Sequence, residues 1–185
     1  MKLVVGIGNP GKRYEATRHN LGMRVVDRLA AEHGIATDKR RFDGHVGEGF
    51  IGSARVLLVK PQTYVNLAGT CVAPLLRWYR CPAEDLLVIC DDINMELGKL
   101  RLRRRGASGG HNGLQSVADR LGTEEFARLR IGIGRGGSED PVGHVLGRFG
   151  PEEDAVIEGA LADAAQAACV WVGQGIEAAM NAFNR

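Results

Sequence analysis

No long apolar run, no cysteine pair and no strong net charge mark this chain. No uninterrupted apolar stretch approaches the ~18–20 residues that cross a bilayer. The first residues lead straight into a strand pattern without a leader signature. A cytoplasmic location with no membrane partner is the expectation. The four cysteines, Cys71, Cys81, Cys90 and Cys169, are scattered with no C-x-x-C pair, so neither a zinc site nor a disulfide frame is indicated. Buried, reduced thiols are expected instead. H-x-H and H-E-x-x-H are absent, which speaks against a histidine-based metal site. The formal net charge is +2, so bulk electrostatics identify no partner.

What is present is an ordinary globular composition, 44% hydrophobic and 25% charged over 185 residues. That length suits one domain, 1–185, with a core that needs no staples. The densest signal is Gly6 to Asn20, which follows the apolar run Leu3-Val4-Val5 and sets Asn9, Tyr14 and His19 in one loop. Loops at strand carboxyl ends are where open α/β sheets bind ligands. Gly6, Gly8 and Gly11 also spell the dinucleotide fingerprint G-x-G-x-x-G. The context fails: Pro10 interrupts it, the next helical pattern begins near Asn20, and the acid expected on a second strand is missing.

Strand and helix patterns alternate along the chain. Lys2–Gly6 reads as a strand, and Leu21, Val25, Leu29 and Ala30 take helical spacing between an Asn20 cap and a Gly34 stop. Phe42 to Lys60 reads as a hairpin turning at Gly52-Ser53. Asn66 caps a helix through Tyr79, with Pro74 marking a kink or a late start. Leu86–Cys90 has the fully apolar character of a central strand. Lys99–Arg105 reads as a one-sided strand, Asn112–Leu121 as a helix, Leu129–Ile133 as a strand, and Pro151 opens a long last helix. The class is α/β: a three-layer αβα sandwich around a central twisted mixed sheet. Gly134–Gly150 is glycine-rich, a flap over a site or an ordinary surface loop.

Three groups of residues carry chemistry. His19 lies past the end of the first strand and Asp91 at the end of Leu86–Cys90. If those strands are neighbours, the carboxylate fixes the imidazole tautomer and the free nitrogen takes a proton from water. The alternative is a capping Asp91 and a solvated His19. Asn9, Asn66 and Asn112 sit at comparable loop ends. Their amides suit a polar, uncharged ligand such as a peptide backbone or a ribose, or else serve turns and caps. Lys99, Arg101, Arg103 and Arg105 form a stripe suited to a nucleic-acid backbone or to a protected sheet edge. Lys39-Arg40-Arg41 is a second basic cluster without an evident role.

The chain resembles bacterial peptidyl-tRNA hydrolases nearly from end to end. The resemblance rests on Val5-Gly6-Ile7-Gly8-Asn9-Pro10-Gly11 with Tyr14 and Thr17-Arg18-His19-Asn20, and on Lys60-Pro61-Gln62-Thr63-Tyr64-Val65-Asn66-Leu67-Ala68-Gly69. It continues through Asp91-Asp92-Ile93-Asn94, Gly98–Arg103, Gly109-Gly110-His111-Asn112-Gly113-Leu114 and Arg130-Ile131-Gly132-Ile133-Gly134. It implies hydrolysis of the ester joining peptide to tRNA by a monomer that needs no metal, no cofactor and no obligate protein partner. His19 would be the general base, Asp91 its orienting partner and Asn9 a positioning amide. Asn66 and Asn112 would hold peptide and 3′ end, with Tyr14 and Tyr64 beside them. Arg103 and Arg130 would meet tRNA phosphate. The family often carries Met, His and Asp where Val65, Cys90 and Asn94 stand, which leaves open the surroundings of Asp91. A second reading is an RNA-binding module of the same fold that has lost its chemistry.

Overall fold

A strand with helices on both faces has no solvent side, and its sequence should be apolar without alternation. Strand β5 (Leu86–Asp92) satisfies this, being buried from Leu86 to Asp91. It lies inside a sheet completed by β1 (Lys2–Gly6), β2 (Lys39–Arg41), β3 (Gly44–Ile51), β4 (Ala54–Pro61), β6 (Leu100–Arg103) and β7 (Ala127–Gly132). These come from a computed structural model that describes residues 1–137 and 139–184. The strand order is β2-β3-β4-β1-β5-β7-β6. The four central strands run parallel, while β2, β3 and β6 join antiparallel at the two edges, so the sheet is mixed as expected.

Alternation along the strands sorts side chains into two cores. Val4, Leu58, Leu87, Ile89 and Leu129 face one layer, made of α1 (Leu21–His33), α5 (Pro151–Gln174) and α6 (Ile176–Phe183). Leu3, Val5, Leu57, Val88 and Cys90 face the other, made of α2 (Ala68–Trp78) and α3 (Asn112–Leu121). Each fully buried Leu, Ile or Val contributes on the order of 1.5–3 kcal/mol. A short α4 (Pro141–Leu146) lies inside Gly134–Gly150, of which Ser138 is outside the described residues.

Several local expectations change. Lys39–Arg41 is an edge strand, recruited by pairing with β3 rather than by any apolar pattern of its own. Asn20 precedes α1 but makes no cap bond, because its side chain is drawn to Asn9. Asn66 does not cap α2 either; it sits in a 3-10 turn, Val65–Leu67, and α2 starts at Ala68. Pro74 is accommodated within α2. Helix α5 is apolar and long enough to cross a bilayer, although no uninterrupted apolar run announces it. Half of its apolar window is buried, with Ile157, Leu161 and Trp171 packed in the first core, as for the core helix of a soluble protein.

Candidate active site

Two glycines bring the site together. A Cβ on Gly6 would lie 2.1 Å from the carbonyl oxygen of Gly22, and one on Gly22 would lie 2.2 Å from that of Ile89. Backbone packs on backbone here, which only glycine permits. The start of α1 is thus pressed onto the carboxyl ends of β1 and β5, which are paired and parallel. The Gly6–Gly11 turn does not open into a helix, as a dinucleotide site requires; it passes through two 3-10 turns that carry the chain to His19.

His19 meets Asp91 as the topology demands. Its Nδ1–H donates to Asp91 Oδ1 at 2.8 Å. A third member, not expected from the sequence, joins this pair. His111, at the N-cap of α3, donates Nε2–H to the same Asp91 oxygen at 3.0 Å. Its Nδ1 accepts from the backbone N–H of Gly113 at 3.1 Å and of Leu114 at 3.3 Å. Only one tautomer satisfies all three bonds, so His111 is an Nε2–H donor. The signal was available: His111 begins a helix, and a histidine there can satisfy its free N–H groups. With Nδ1 committed to Asp91, His19 presents its Nε2 as an acceptor.

The carboxylate is only 2% exposed. Burial by itself opposes its charge, but the imidazoles of His111 and His19 outweigh that and hold the Asp91 carboxyl well below the usual carboxylate range. Asp92 follows the opposite parity and pairs with Arg130 at 3.1 Å. Arg130 also donates to the carbonyls of Ala107 and Ser108 at 3.0 and 2.8 Å, tying down the loop before His111. The expected phosphate ligand is therefore largely engaged within the protein. The substituted Cys90 points into the second core, away from Asp91, and burial pushes its thiol far up. Asn94 accepts from Arg135 at 2.5 Å and stands at the cleft rim.

His19, Asp91, His111, Asn112 and Arg130 line one cleft of about 240 Å³, closed on one side by Pro141, Val142 and Val145 of α4. Part of the glycine-rich segment is thus a wall of the site. Arg18 anchors the loop that carries His19, donating to Glu153 of α5 at 2.9 Å and lying over the ring of Phe149, at the end of the glycine-rich segment, at 5.1 Å.

Asn9 lies in an adjoining groove with Asn20, Lys60 and Gln62. Its backbone N–H donates to Asn20 Oδ1 at 2.8 Å and its carbonyl accepts from Asn20 Nδ2 at 2.9 Å. Its own Oδ1 accepts from the Val65 N–H at 3.0 Å, a backbone contact that Val serves as well as Met would. The Val65 bond orients the amide and leaves Nδ2 as its donor. Tyr14 and Tyr64 meet edge to face, centroids 6.4 Å apart, with Tyr64 exposed. Asn66 is exposed on the 3-10 turn after Tyr64 and lines neither cavity. Arg103 lies with Lys99 and Arg101 in a separate depression along β6.

Among the described residues, His19, Asp91 and His111 are the group placed to hold a cation, with ligand atoms within 4.8 Å of one another. Those atoms already satisfy each other by hydrogen bonds, so the set is complete as a proton network.

Residues 3–185 match the family model described as peptidyl-tRNA hydrolase. The chain is 52% identical to a peptidyl-tRNA hydrolase of Chloroflexus aggregans, covering 100% of this chain and 99% of the relative. It is 51% identical to one of Desulforudis audaxviator, covering 100% and 93%. A crystal structure of peptidyl-tRNA hydrolase from Acinetobacter baumannii superposes with a TM-score of 0.93 at 39% identity, covering 100% of this chain and 94% of that one. The chain belongs to the peptidyl-tRNA hydrolase family.

Proposed function

We propose that this protein hydrolyses the ester between a peptide and the terminal ribose of tRNA, returning free tRNA to translation. The observation that carries this reading is the His19–Asp91–His111 network at the floor of the cleft, with His19 Nε2 left as an acceptor. Water bound at Nε2 gives up its proton as its oxygen attacks the ester carbonyl. Asp91 stabilises the imidazolium that results. Collapse of the tetrahedral species breaks the bond to the ribose oxygen, which takes the proton back from His19. Base assistance of this kind contributes roughly 10²–10⁴-fold.

The amides serve the charge that develops on the carbonyl oxygen. Asn9 Nδ2, with the Asn9 backbone held by Asn20 and its carboxamide oxygen by the Val65 N–H, and the Asn112 amide at the cleft are the donors for the oxyanion and the 3′ end. Tyr14, Tyr64 and Asn66 line the path of the peptide. Lys99, Arg101 and Arg103 meet the phosphates of the acceptor arm, and Arg130 contributes a fixed positive charge at the cleft wall. The working unit is a single-domain cytoplasmic monomer whose partner is tRNA, and the proton network calls for no metal.

The test is release of an N-blocked amino acid from its tRNA by purified protein in excess chelator. Release of both products intact is expected. Binding of the charged tRNA without release would favour the silent RNA-binding module, and loss of release with chelator would overturn metal independence.

A further inference from the structure

At the sheet edge opposite β6, an aromatic and basic cluster remains that the hydrolytic reading leaves unused. Lys39–Arg41 form the outer strand β2, and Arg41 and Gly44 pair across a two-residue turn. The turn residues Phe42 and Asp43 both have positive φ, 47° and 56°. Such turns favour Asn-Gly; a bulky Phe in the left-handed region costs roughly 1–2 kcal/mol. The strained turn holds the Phe42 ring 5.9 Å from that of Trp78 at the end of α2, and the Arg41 guanidinium lies 5.7 Å over the same indole. Trp78 is 61% exposed and Phe42 40%. Arg77 and Arg80 flank Trp78 and are exposed. Among the described residues, no ion pair engages Lys39, Arg40, Arg41, Arg77 or Arg80.

Charge alone protects a sheet edge from pairing. It does not explain a strained Phe and a solvent-facing Trp held together beneath an arginine. Planar π faces among unpaired cations are what a flexible single-stranded nucleic acid requires: a base stacks while phosphates neutralise the charge. A protein partner with an apolar hot spot would not need five free cations. We infer that Trp78, Phe42, Arg40 and Arg41 form a second RNA contact, which stacks an unpaired nucleotide of single-stranded RNA.

The site is separate from the β6 stripe. The two edges are six strand spacings apart, roughly 29 Å. The cleft beside Arg40 and Arg41 also includes His45 and Gln62, which line the groove that leads to Asn9.

The two tryptophans make the test direct, because Trp171 is 2% exposed and Trp78 faces solvent. A 12-nucleotide oligo(A) should quench the solvent-exposed emission of the protein. Labelled oligo(A) should bind Trp78→Ala about tenfold more weakly at unchanged melting temperature. Arg41→Ala should lower the salt slope of binding by about one. Absence of quenching, equal affinity of Trp78→Ala, or equal quenching by polyglutamate would each overturn the proposal. Displacement of oligo(A) by excess tRNA would place the nucleotide in the substrate's own tRNA. Simultaneous binding would place it in another RNA, and either result upholds the site. None of these readings requires ester hydrolysis, so the contact and the hydrolytic assignment fail independently.

Discussion

Two adjacent acids at the end of β5 live in different worlds. Asp91 is sealed between two imidazoles, and one of its oxygens accepts from both. Asp92, one residue on and of opposite parity, pairs with a single guanidinium that also fastens a loop. The basic stripe on β6 is a third situation again, with Arg101 and Arg103 in solvent and, among the described residues, in no ion pair. The same type of interaction therefore does different things according to burial. At Asp91 a charge sets the tautomer of His19; at Asp92 it holds a wall; on β6 it stands in solvent, where the proposed function places a phosphate. Changes should be abrupt at the first, structural at the second and graded with salt at the third.

Asp91→Asn should break the comparison hardest. An amide carries no charge to stabilise the imidazolium, and with its NH2 turned to His19 it imposes the other tautomer. A turnover loss approaching ~10⁴-fold is expected in single-turnover release, by analogy with triads whose acid is amidated. The same variant has a stability signature. The Asp91 carboxyl is held below its unfolded value, so its contribution is complete above about pH 4 and lost as pH falls through the folded value. The stability gap between the wild type and Asp91→Asn should therefore shrink in denaturant melts below about pH 4. A gap that widened there would reverse the sign.

His111→Ala comes next. It removes the bridge between α3 and Asp91 but leaves the pair with His19, so a loss of at most about 10²-fold in turnover is expected, through misplacement rather than missing chemistry. A loss as deep as that of Asp91→Asn would make the two histidines equal partners. Arg130→Ala should destabilise by about 1–3 kcal/mol, because it strips Asp92 and the Ala107 and Ser108 carbonyls of their donor. A change in tRNA affinity without loss of stability would instead make Arg130 chiefly a phosphate ligand. Arg103→Ala should have the smallest effect: weaker tRNA binding at low salt and a salt slope lower by about one, with release from saturated complex unchanged.

Much of this was legible in the residues. The uniform apolarity of Leu86–Cys90 announced a central strand, and with it the placement of Asp91 at a strand end beside the loop that carries His19. Proximity of the two required only that β1 and β5 be neighbours, which is a matter of topology. What stayed hidden depended on long-range pairing. Lys39–Arg41 reads as a charge cluster because an edge strand of three exposed residues has no buried face to pattern it. Asn20 and Asn66 read as caps because a loop asparagine usually serves its own backbone; Asn20 instead bonds the backbone of Asn9, eleven residues away. His111 caps α3, and its meeting with Asp91 depends on how that helix end packs over β5, which no local pattern shows. The departures at Val65 and Cys90 are harmless to the proposed chemistry for reasons visible only in three dimensions. Asn9 binds the backbone of Val65, and Cys90 faces the opposite core.

The central claim is that the His19 imidazole, set by Asp91, performs the proton transfer and does not merely line the cleft. Turnover of N-blocked aminoacyl-tRNA by His19→Ala, measured alongside its affinity for tRNA, tests it most directly. The account predicts a fall of roughly 10²–10⁴-fold in turnover with tRNA binding retained. Turnover near that of the wild type at equal occupancy would contradict it.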